Sequence, residues 1–74
     1  MKHLSEQEWT LEFKYRLRDR MEYLEINQTE LSKRSGVSAQ LIGRYLTGKN
    51  NPSAYHVTLL AKALIMPVDK LINF

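Results

Sequence analysis

The sequence contains no cysteine, and it has no apolar run as long as the ~18 to 20 residues that a membrane-spanning helix requires. Without cysteine it has no disulfides and no thiolate metal ligands, which is typical of a cytoplasmic protein. Histidine is also scarce, and His3 and His56 have no partner at metal-ligand spacing, so no metal is expected. There is no phosphate-binding glycine-rich loop either. An enzyme and a bound cofactor are therefore not expected.

The length and composition favour one folded domain. The chain has 74 residues, of which 43% are hydrophobic and 26% charged, as in folded domains rather than disordered tails. A chain of this size has room for one modest core. We therefore expect residues 1 to 74 to form a single domain.

Positive charge is concentrated in the second part of the chain. Residues 1 to 25 carry five basic and six acidic side chains, a net charge of −1, whereas residues 26 to 74 carry six basic and two acidic ones, a net charge of +4. This distribution favours a polyanionic partner. By itself it does not distinguish a nucleic acid from an acidic protein.

Five segments share a local pattern that is typical of helix starts. In each, an apolar residue precedes a capping or turn residue, and a second apolar residue follows four positions after it, which is the spacing of a hydrophobic staple. The five instances are Leu4/Ser5/Trp9, Ile26/Asn27/Leu31, Val37/Ser38/Ile42, Pro52/Ser53/Val57 and Met66/Pro67/Leu71. They predict an all-α fold with helices over about 5–24, 28–35, 39–47, 54–64 and 68–73.

The first helix carries a predicted buried stripe at spacings of three and four, formed by Trp9, Phe13, Leu17, Met21 and Leu24. The fourth helix buries Val57, Leu60, Ala61 and Leu64. Gly36 is expected to end the second helix in the left-handed conformation. The fourth helix has Ile65 where such a glycine would stand, which predicts strain or a different closure there.

The third predicted helix has one apolar face and one face of small and polar residues. Ile42 and Tyr45 point together towards the core, and the opposite arc consists of Gln40, Gly43, Arg44 and Thr47. Arg44 suits guanine and Gln40 suits adenine in the DNA major groove, because each side chain can form two hydrogen bonds with that base. A glycine costs ~1 kcal/mol relative to alanine inside a helix. Gly43 is explained by close approach of the helix to DNA, or it is simply tolerated at the surface.

Several short stretches, at matching spacings, resemble the phage repressor/Cro-type (XRE) helix-turn-helix family. They are Arg16-Leu17-Arg18, Gln28-Thr29-Glu30-Leu31, Ser35-Gly36-Val37-Ser38, Ile42, Gly48-Lys49-Asn50-Asn51-Pro52-Ser53 and Leu60-Ala61-Lys62-Ala63-Leu64. The resemblance implies a five-helix, lambda-repressor-like DNA-binding domain with the helix-turn-helix at helices 2 and 3. It also implies a repressor that binds double-stranded DNA, usually as a homodimer on a palindromic operator.

The resemblance also implies roles for particular residues. Base-contacting or groove-lining positions correspond to Ser38, Ala39, Gln40, Gly43 and Arg44, and phosphate contacts correspond to Gln28, Lys49 and Asn50. Gln28 lies in the first turn of a helix, where an anion is favoured independently of the resemblance. The sequence departs from the family at Met21 and Leu46, where many members have an Arg–Glu ion pair, so we expect an apolar contact instead.

Other charged and aromatic residues have simpler interpretations. Lys33 and Arg34 are expected to be solvated. Surface ion pairs are the expectation for Arg16, Arg18 and Arg20, which lie among acidic residues.

The apolar C-terminus leaves a second class of function open. Val68, Leu71, Ile72 and Phe74 are more apolar residues than so small a domain is expected to bury, and they form a candidate dimer interface. They also suit an antitoxin-like or adaptor protein that uses the fold to bind another protein. RNA binding is disfavoured, because the candidate surface is a helix without exposed aromatic rings.

Overall fold

The computed structural model describes residues 4 to 73, and in this range five helices and no strands are found. The helices are α1 (Glu6–Leu24), α2 (Gln28–Ser35), α3 (Ala39–Leu46), α4 (Ala54–Ala63) and α5 (Val68–Ile72). The all-α, five-helix fold predicted from the sequence is confirmed. None of the helices within this range is long and apolar enough to cross a membrane.

The first four helices begin at a side chain that accepts a hydrogen bond from the backbone of the first turn. Ser5, Asn27, Ser38 and Ser53 are these N-caps. At α1 the bond is reciprocal, because the Ser5 backbone N–H also donates to the Glu8 carboxylate at 2.9 Å. α5 begins at Pro67, which forms no side-chain cap. The caps satisfy backbone N–H groups that have no partner inside the helix, which explains why the predicted starts were accurate.

The core is built from one face of every helix. α1 contributes Phe13, Leu17 and Met21, while Trp9 and Leu24, at the two ends of the predicted stripe, are only partly buried. The Trp9 ring stacks on the Phe13 ring with 5.4 Å between centroids. The other buried hydrophobic residues are Leu31, Val37, Ile42, Tyr45, Val57, Leu60, Ala61, Ala63, Leu64 and Leu71. Met21 belongs to this core and Leu46 packs against it, in line with the expected apolar replacement of an ion pair.

The short helix α5 is packed more completely than its sequence suggested. Leu71 is 0% exposed, and Val68 and Ile72 are half-buried against the core. The reason is that α5 packs against both α1 and α4, so one apolar face of α5 is buried between them. Leu71 was therefore wrongly assigned to the candidate dimer interface, since it has no surface to offer a partner. Phe74, the last residue of that predicted set, lies outside the described residues.

The arginines of α1 bind backbone carbonyls as well as acidic side chains. Arg20 donates from Nε to the Leu64 carbonyl and from Nη2 to the Ile65 carbonyl, both at 2.9 Å. Arg16 donates from Nη1 to the Lys70 carbonyl at 2.9 Å and lies 3.6 Å from the Glu12 carboxylate. Arg18 donates from Nη2 to the Leu46 carbonyl at 3.4 Å. The prediction of surface ion pairs was thus incomplete for Arg16 and wrong for Arg18 and Arg20. Helix C-termini present carbonyls without intrahelical partners, and these arginines satisfy them.

The end of α4 is strained in the manner expected from Ile65. This residue adopts a left-handed conformation with φ of 55°. The turn is closed by hydrogen bonds from the Ile65 N–H to the Lys62 carbonyl and from the Met66 N–H to the Ala61 carbonyl, at 3.1 and 3.0 Å. Left-handed geometry places Cβ too close to the following carbonyl, and the penalty is greatest for a β-branched side chain.

Ile65→Gly is therefore expected to stabilise the fold by about 1 kcal/mol, since glycine adopts this conformation without a Cβ penalty but loses more backbone entropy on folding. The Ile65 side chain is 69% exposed, so its removal costs little packing. Urea unfolding measures the change. Ile65→Ala is the matched control, because it removes most of the side chain but keeps Cβ. A glycine variant no more stable than the alanine variant would contradict this explanation.

Candidate nucleic-acid interface

The turn between α2 and α3 is set by one glycine and two serines. Gly36 has a φ of 81° and ends α2, with its N–H donating to the Ser32 carbonyl at 2.9 Å. The buried Ser35 hydroxyl accepts from the Val37 N–H at 3.0 Å, and Val37 is itself buried. Ser38 then caps α3 by accepting from the Leu41 N–H at 3.1 Å. The turn places α3 across α2 at a position fixed by the buried Val37.

The two faces of α3 are arranged as predicted. Ile42 and Tyr45 are 0% and 2% exposed, whereas the Gln40 and Arg44 side chains are exposed. Thr47, at the end of the helix, is also exposed, but its hydroxyl donates back to the Gly43 carbonyl at 3.0 Å. α3 therefore presents Gln40 and Arg44 outwards from a face that is fixed in the core.

A polar contact at the edge of the core fixes α3 against α4. The Tyr45 hydroxyl and His56 Nδ1 are 2.8 Å apart. Burial raises the pKa of the Tyr45 hydroxyl above its usual value, because desolvation disfavours the phenolate. His56 thus has a structural partner. No cluster of side chains able to hold a metal ion is found between residues 4 and 73, while His3 lies outside that range.

Gln28 joins the start of α2 to the start of α3. Its Nε2 donates to the Ala39 carbonyl at 2.7 Å, so Gln28 contacts the helix that carries the candidate base-contacting residues. A Cβ added to Gly43 would lie 2.7 Å from this same Nε2 atom. The absence of a side chain at Gly43 therefore makes room for the Gln28 amide. The sequence had suggested clearance for DNA, and the contact within the protein supplies a different reason for the glycine.

The loop after α3 is held by hydrogen bonds at both ends. The Lys49 N–H donates to the Arg44 carbonyl at 2.9 Å, and Arg44 Nε donates to Asn50 Oδ1 at 3.1 Å. The next residue, Asn51, accepts at Oδ1 from the Thr10 hydroxyl at 2.7 Å, which ties the loop to α1. The Lys49 side chain is exposed. The loop thus places one lysine and one asparagine beside the exposed end of α3.

Sequence reasoning missed the contribution of α1 to this region. Thr10 binds the loop directly, and a Cβ added to Gly48 would lie 4.0 Å from Lys14 Cδ, so the Lys14 side chain runs beside the same loop. No local pattern marks these residues, because the contact depends on how α1 packs against residues about 40 positions later in the chain.

Contacts within the protein connect several of the predicted DNA-contacting residues around α3. The Gln28 amide binds the Ala39 carbonyl at the first turn of α3 and lies close to Gly43 one turn later, whereas Asn50 binds Arg44 in the last turn. An α-helix rises 1.5 Å per residue, so the eight residues of α3 separate these two ends by roughly 12 Å. Ser38 and Gln40 are exposed at the first of them. The arrangement is a short helix with one exposed face and with neutral or basic hydrogen-bonding groups at each end.

Gly43→Ala is expected to leave the free energy of unfolding nearly unchanged. Alanine gains ~1 kcal/mol of helix propensity, but its Cβ displaces the Gln28 amide from Ala39, and a lost hydrogen bond costs ~1 kcal/mol. In a Gln28→Ala background the clash is absent, so the same substitution should stabilise the fold by ~1 kcal/mol. Unfolding measurements on the four proteins of this double-mutant cycle test the contact. Equal effects of the substitution in both backgrounds would show that Gly43 and Gln28 do not interact.

Comparison with known proteins identifies a helix-turn-helix family. The sequence pattern of a helix-turn-helix family matches residues 17–71. An uncharacterized transcriptional regulator in the ATPase CF(0) region of Rhodospirillum rubrum is 43% identical over 54 residues, which are 73% of this chain and 50% of that relative. The chain thus spans about half the length of the relative.

A solved structure shares both the fold and part of the sequence. The restriction-modification controller protein C.AhdI from Aeromonas hydrophila superposes with a TM-score of 0.81 at 27% identity, over 84% of this chain and 94% of that one. The family and this structure confirm that the chain is not an enzyme. The chain belongs to the helix-turn-helix family of phage repressor/Cro (XRE) type, whose members are DNA-binding regulators.

Proposed function

We propose that the chain is a sequence-specific transcriptional repressor that inserts α3 into the major groove of double-stranded DNA. The observation that carries this proposal is the division of α3 into two faces. Ile42 and Tyr45 fix one face in the core, and the other presents Gln40 and Arg44 to the outside. A helix needs both features to enter the major groove in a defined orientation. The proposed place of action is the cytoplasm.

In this proposal Arg44 and Gln40 read base pairs. Arginine forms two hydrogen bonds with guanine O6 and N7, and glutamine does the same with adenine N6 and N7. Ser38, Ala39 and Gly43 are proposed to line the groove, although the Gln28 amide occupies the space beside Gly43. The small side chains of Ser38 and Ala39 allow the backbone of the first turn to approach the base edges.

Groups at the two ends of α3 are proposed to hold the phosphates. At one end, Gln28 uses one amide proton for the Ala39 carbonyl and retains the other for a phosphate oxygen, near the backbone N–H groups that begin α2. At the other end, the exposed Lys49 provides positive charge and Asn50 provides an amide. Phosphate contacts on both sides of the reading helix fix its register on the duplex.

We further propose that two copies bind a palindromic operator as a homodimer. The two α3 helices would then lie about 34 Å apart, one turn of DNA. Of the apolar residues first assigned to the dimer interface, Val68 and Ile72 retain some exposed surface, whereas Leu71 has none. Repression follows from occupancy alone, because a protein bound across a promoter excludes other proteins from the same DNA.

The alternative of an adaptor or antitoxin-like protein loses part of its support. It was motivated by apolar residues without a place in the core, and the most central of them, Leu71, is buried. Selection from randomised duplex DNA separates the two functions. We expect enrichment of a two-fold symmetric site with half-sites one turn apart. If no sequence is enriched, the protein is not a sequence-specific regulator and the adaptor function is favoured.

Arg44→Ala is expected to remove discrimination at one base pair of each half-site, at a cost of ~1 to 3 kcal/mol for the preferred base, without loss of folding. Affinities for the selected site and its single-base variants measure this effect. Arg34→Ala is the matched control, because Arg34 is exposed on α2 and pairs with Glu30 at 3.1 Å. An unchanged preference profile in the Arg44 variant would reject its role as a reader.

Lys49→Ala is expected to weaken binding to all sequences by a similar factor. Each neutralised phosphate releases condensed counterions, so the plot of log affinity against log salt should become shallower by about one unit for each copy bound, which is roughly two units for the proposed homodimer. Lys62→Ala, which removes an exposed lysine from α4, is the control and should leave the slope unchanged. A wild-type slope in the Lys49 variant would exclude the phosphate contact.

A further inference from the structure

The guanidinium of Arg44 is oriented by a neighbour. Its Nε donates to Asn50 Oδ1 at 3.1 Å, although the Arg44 side chain is exposed. An exposed arginine without such a contact samples many rotamers and loses that freedom when it binds. The hydrogen bond to Asn50 therefore restricts the guanidinium before any ligand is present.

Asn50 is able to act as a fixed acceptor because its backbone is held. The Asn50 N–H points at the Arg44 carbonyl at 3.4 Å, and the Lys49 N–H binds the same carbonyl at 2.9 Å. Gly48, with φ of 75°, reverses the chain just before these two residues. On the other side, Asn51 is bound by Thr10 at 2.7 Å. The backbone of Asn50 is thus held against the end of α3, and the residue that follows it is bound to α1.

The hydrogen bond to Asn50 also determines which nitrogens of Arg44 remain available to donate to a base. With Nε engaged, the two terminal nitrogens Nη1 and Nη2 are left to donate at the end of the side chain. Two parallel donors are what guanine O6 and N7 require. The hydrogen bond to Asn50 therefore favours an end-on approach of Arg44 to a guanine.

We propose that Asn50 is a positioning residue for base reading by Arg44, a role different from the phosphate contact implied by the family resemblance. This proposal rests on the proposed function of α3 as the reading helix. It makes specificity at one base pair depend on a loop residue that need not touch the base.

Two substitutions of Asn50 separate positioning from phosphate binding. Asn50→Ala removes the acceptor, so discrimination at the base pair read by Arg44 should fall by roughly fivefold or more. Asn50→Asp keeps an acceptor but loses the amide donor and adds negative charge, so it should weaken all sites alike and retain discrimination. In an Arg44→Ala background, Asn50→Ala should change discrimination no further. The readout is the ratio of affinities for the selected site and its variant at that base pair.

Asn73→Ala is the control, because it removes an exposed amide side chain at the end of α5 and leaves Arg44 and its loop unchanged. It should retain discrimination. The proposal is overturned if Asn50→Ala lowers affinity for all sites equally, which is the result for a phosphate contact alone. It is also overturned if Asn50→Ala increases discrimination, since Asn50 would then hold Arg44 away from the base.

The orientation of Arg44 by Asn50 can be tested in the DNA-free protein, so this test does not depend on whether the protein binds DNA. The Arg44 Nε–H should give a proton resonance protected from solvent exchange in the wild type and in Asn50→Asp, and this protection should be lost in Asn50→Ala. Equal protection in the wild type and in Asn50→Ala would show that the contact does not orient Arg44. This result stands even if the wild type selects no DNA sequence, an outcome that rejects the proposed function and, with it, the reading role.

Discussion

The burial of Ile42 and Tyr45 is the constraint on which the candidate site depends. α3 has only eight residues, and isolated helices shorter than ~12 to 15 residues are marginal in water. The helix is therefore formed by its packing and not by its propensity alone. Because the same two side chains set its rotation about its axis, they also decide that Gln40 and Arg44 face outwards. The burial of Ile42 and Tyr45 therefore both stabilises α3 and exposes its proposed reading face.

Two amide side chains, Gln28 and Asn50, add contacts at the two ends of α3 to those that the core provides. The Gln28 amide binds the first turn of α3, and the Asn50 amide binds Arg44 at its last turn. Both are neutral groups that donate and accept, so each can bind the protein and retain a hydrogen bond for another partner. Arg44 and Lys49 supply positive charge at the end of α3, and Lys14 runs beside the loop that follows α3. In the proposed complex the amides set geometry, and the charged groups supply electrostatic attraction.

Local features of the fold were predictable from sequence, and contacts between distant segments were not. Helix starts depend on caps such as Ser38, which act within three residues, and the buried faces follow from helical spacing. The contacts of Arg20 with the Leu64 carbonyl and of Thr10 with Asn51 join residues 44 and 41 positions apart. The reason for Gly43 was likewise hidden, because it depends on where the packing of α2 places Gln28.

Methylation interference on the selected DNA site tests the central claim most directly, since guanine N7 lies in the major groove and adenine N3 in the minor groove. We predict that N7 methylation of a guanine in each half-site blocks binding of the wild-type protein. Methylation of that guanine should no longer reduce binding of the Arg44→Ala variant. Interference confined to adenine N3, or an unchanged guanine pattern with the Arg44 variant, would contradict insertion of α3 into the major groove.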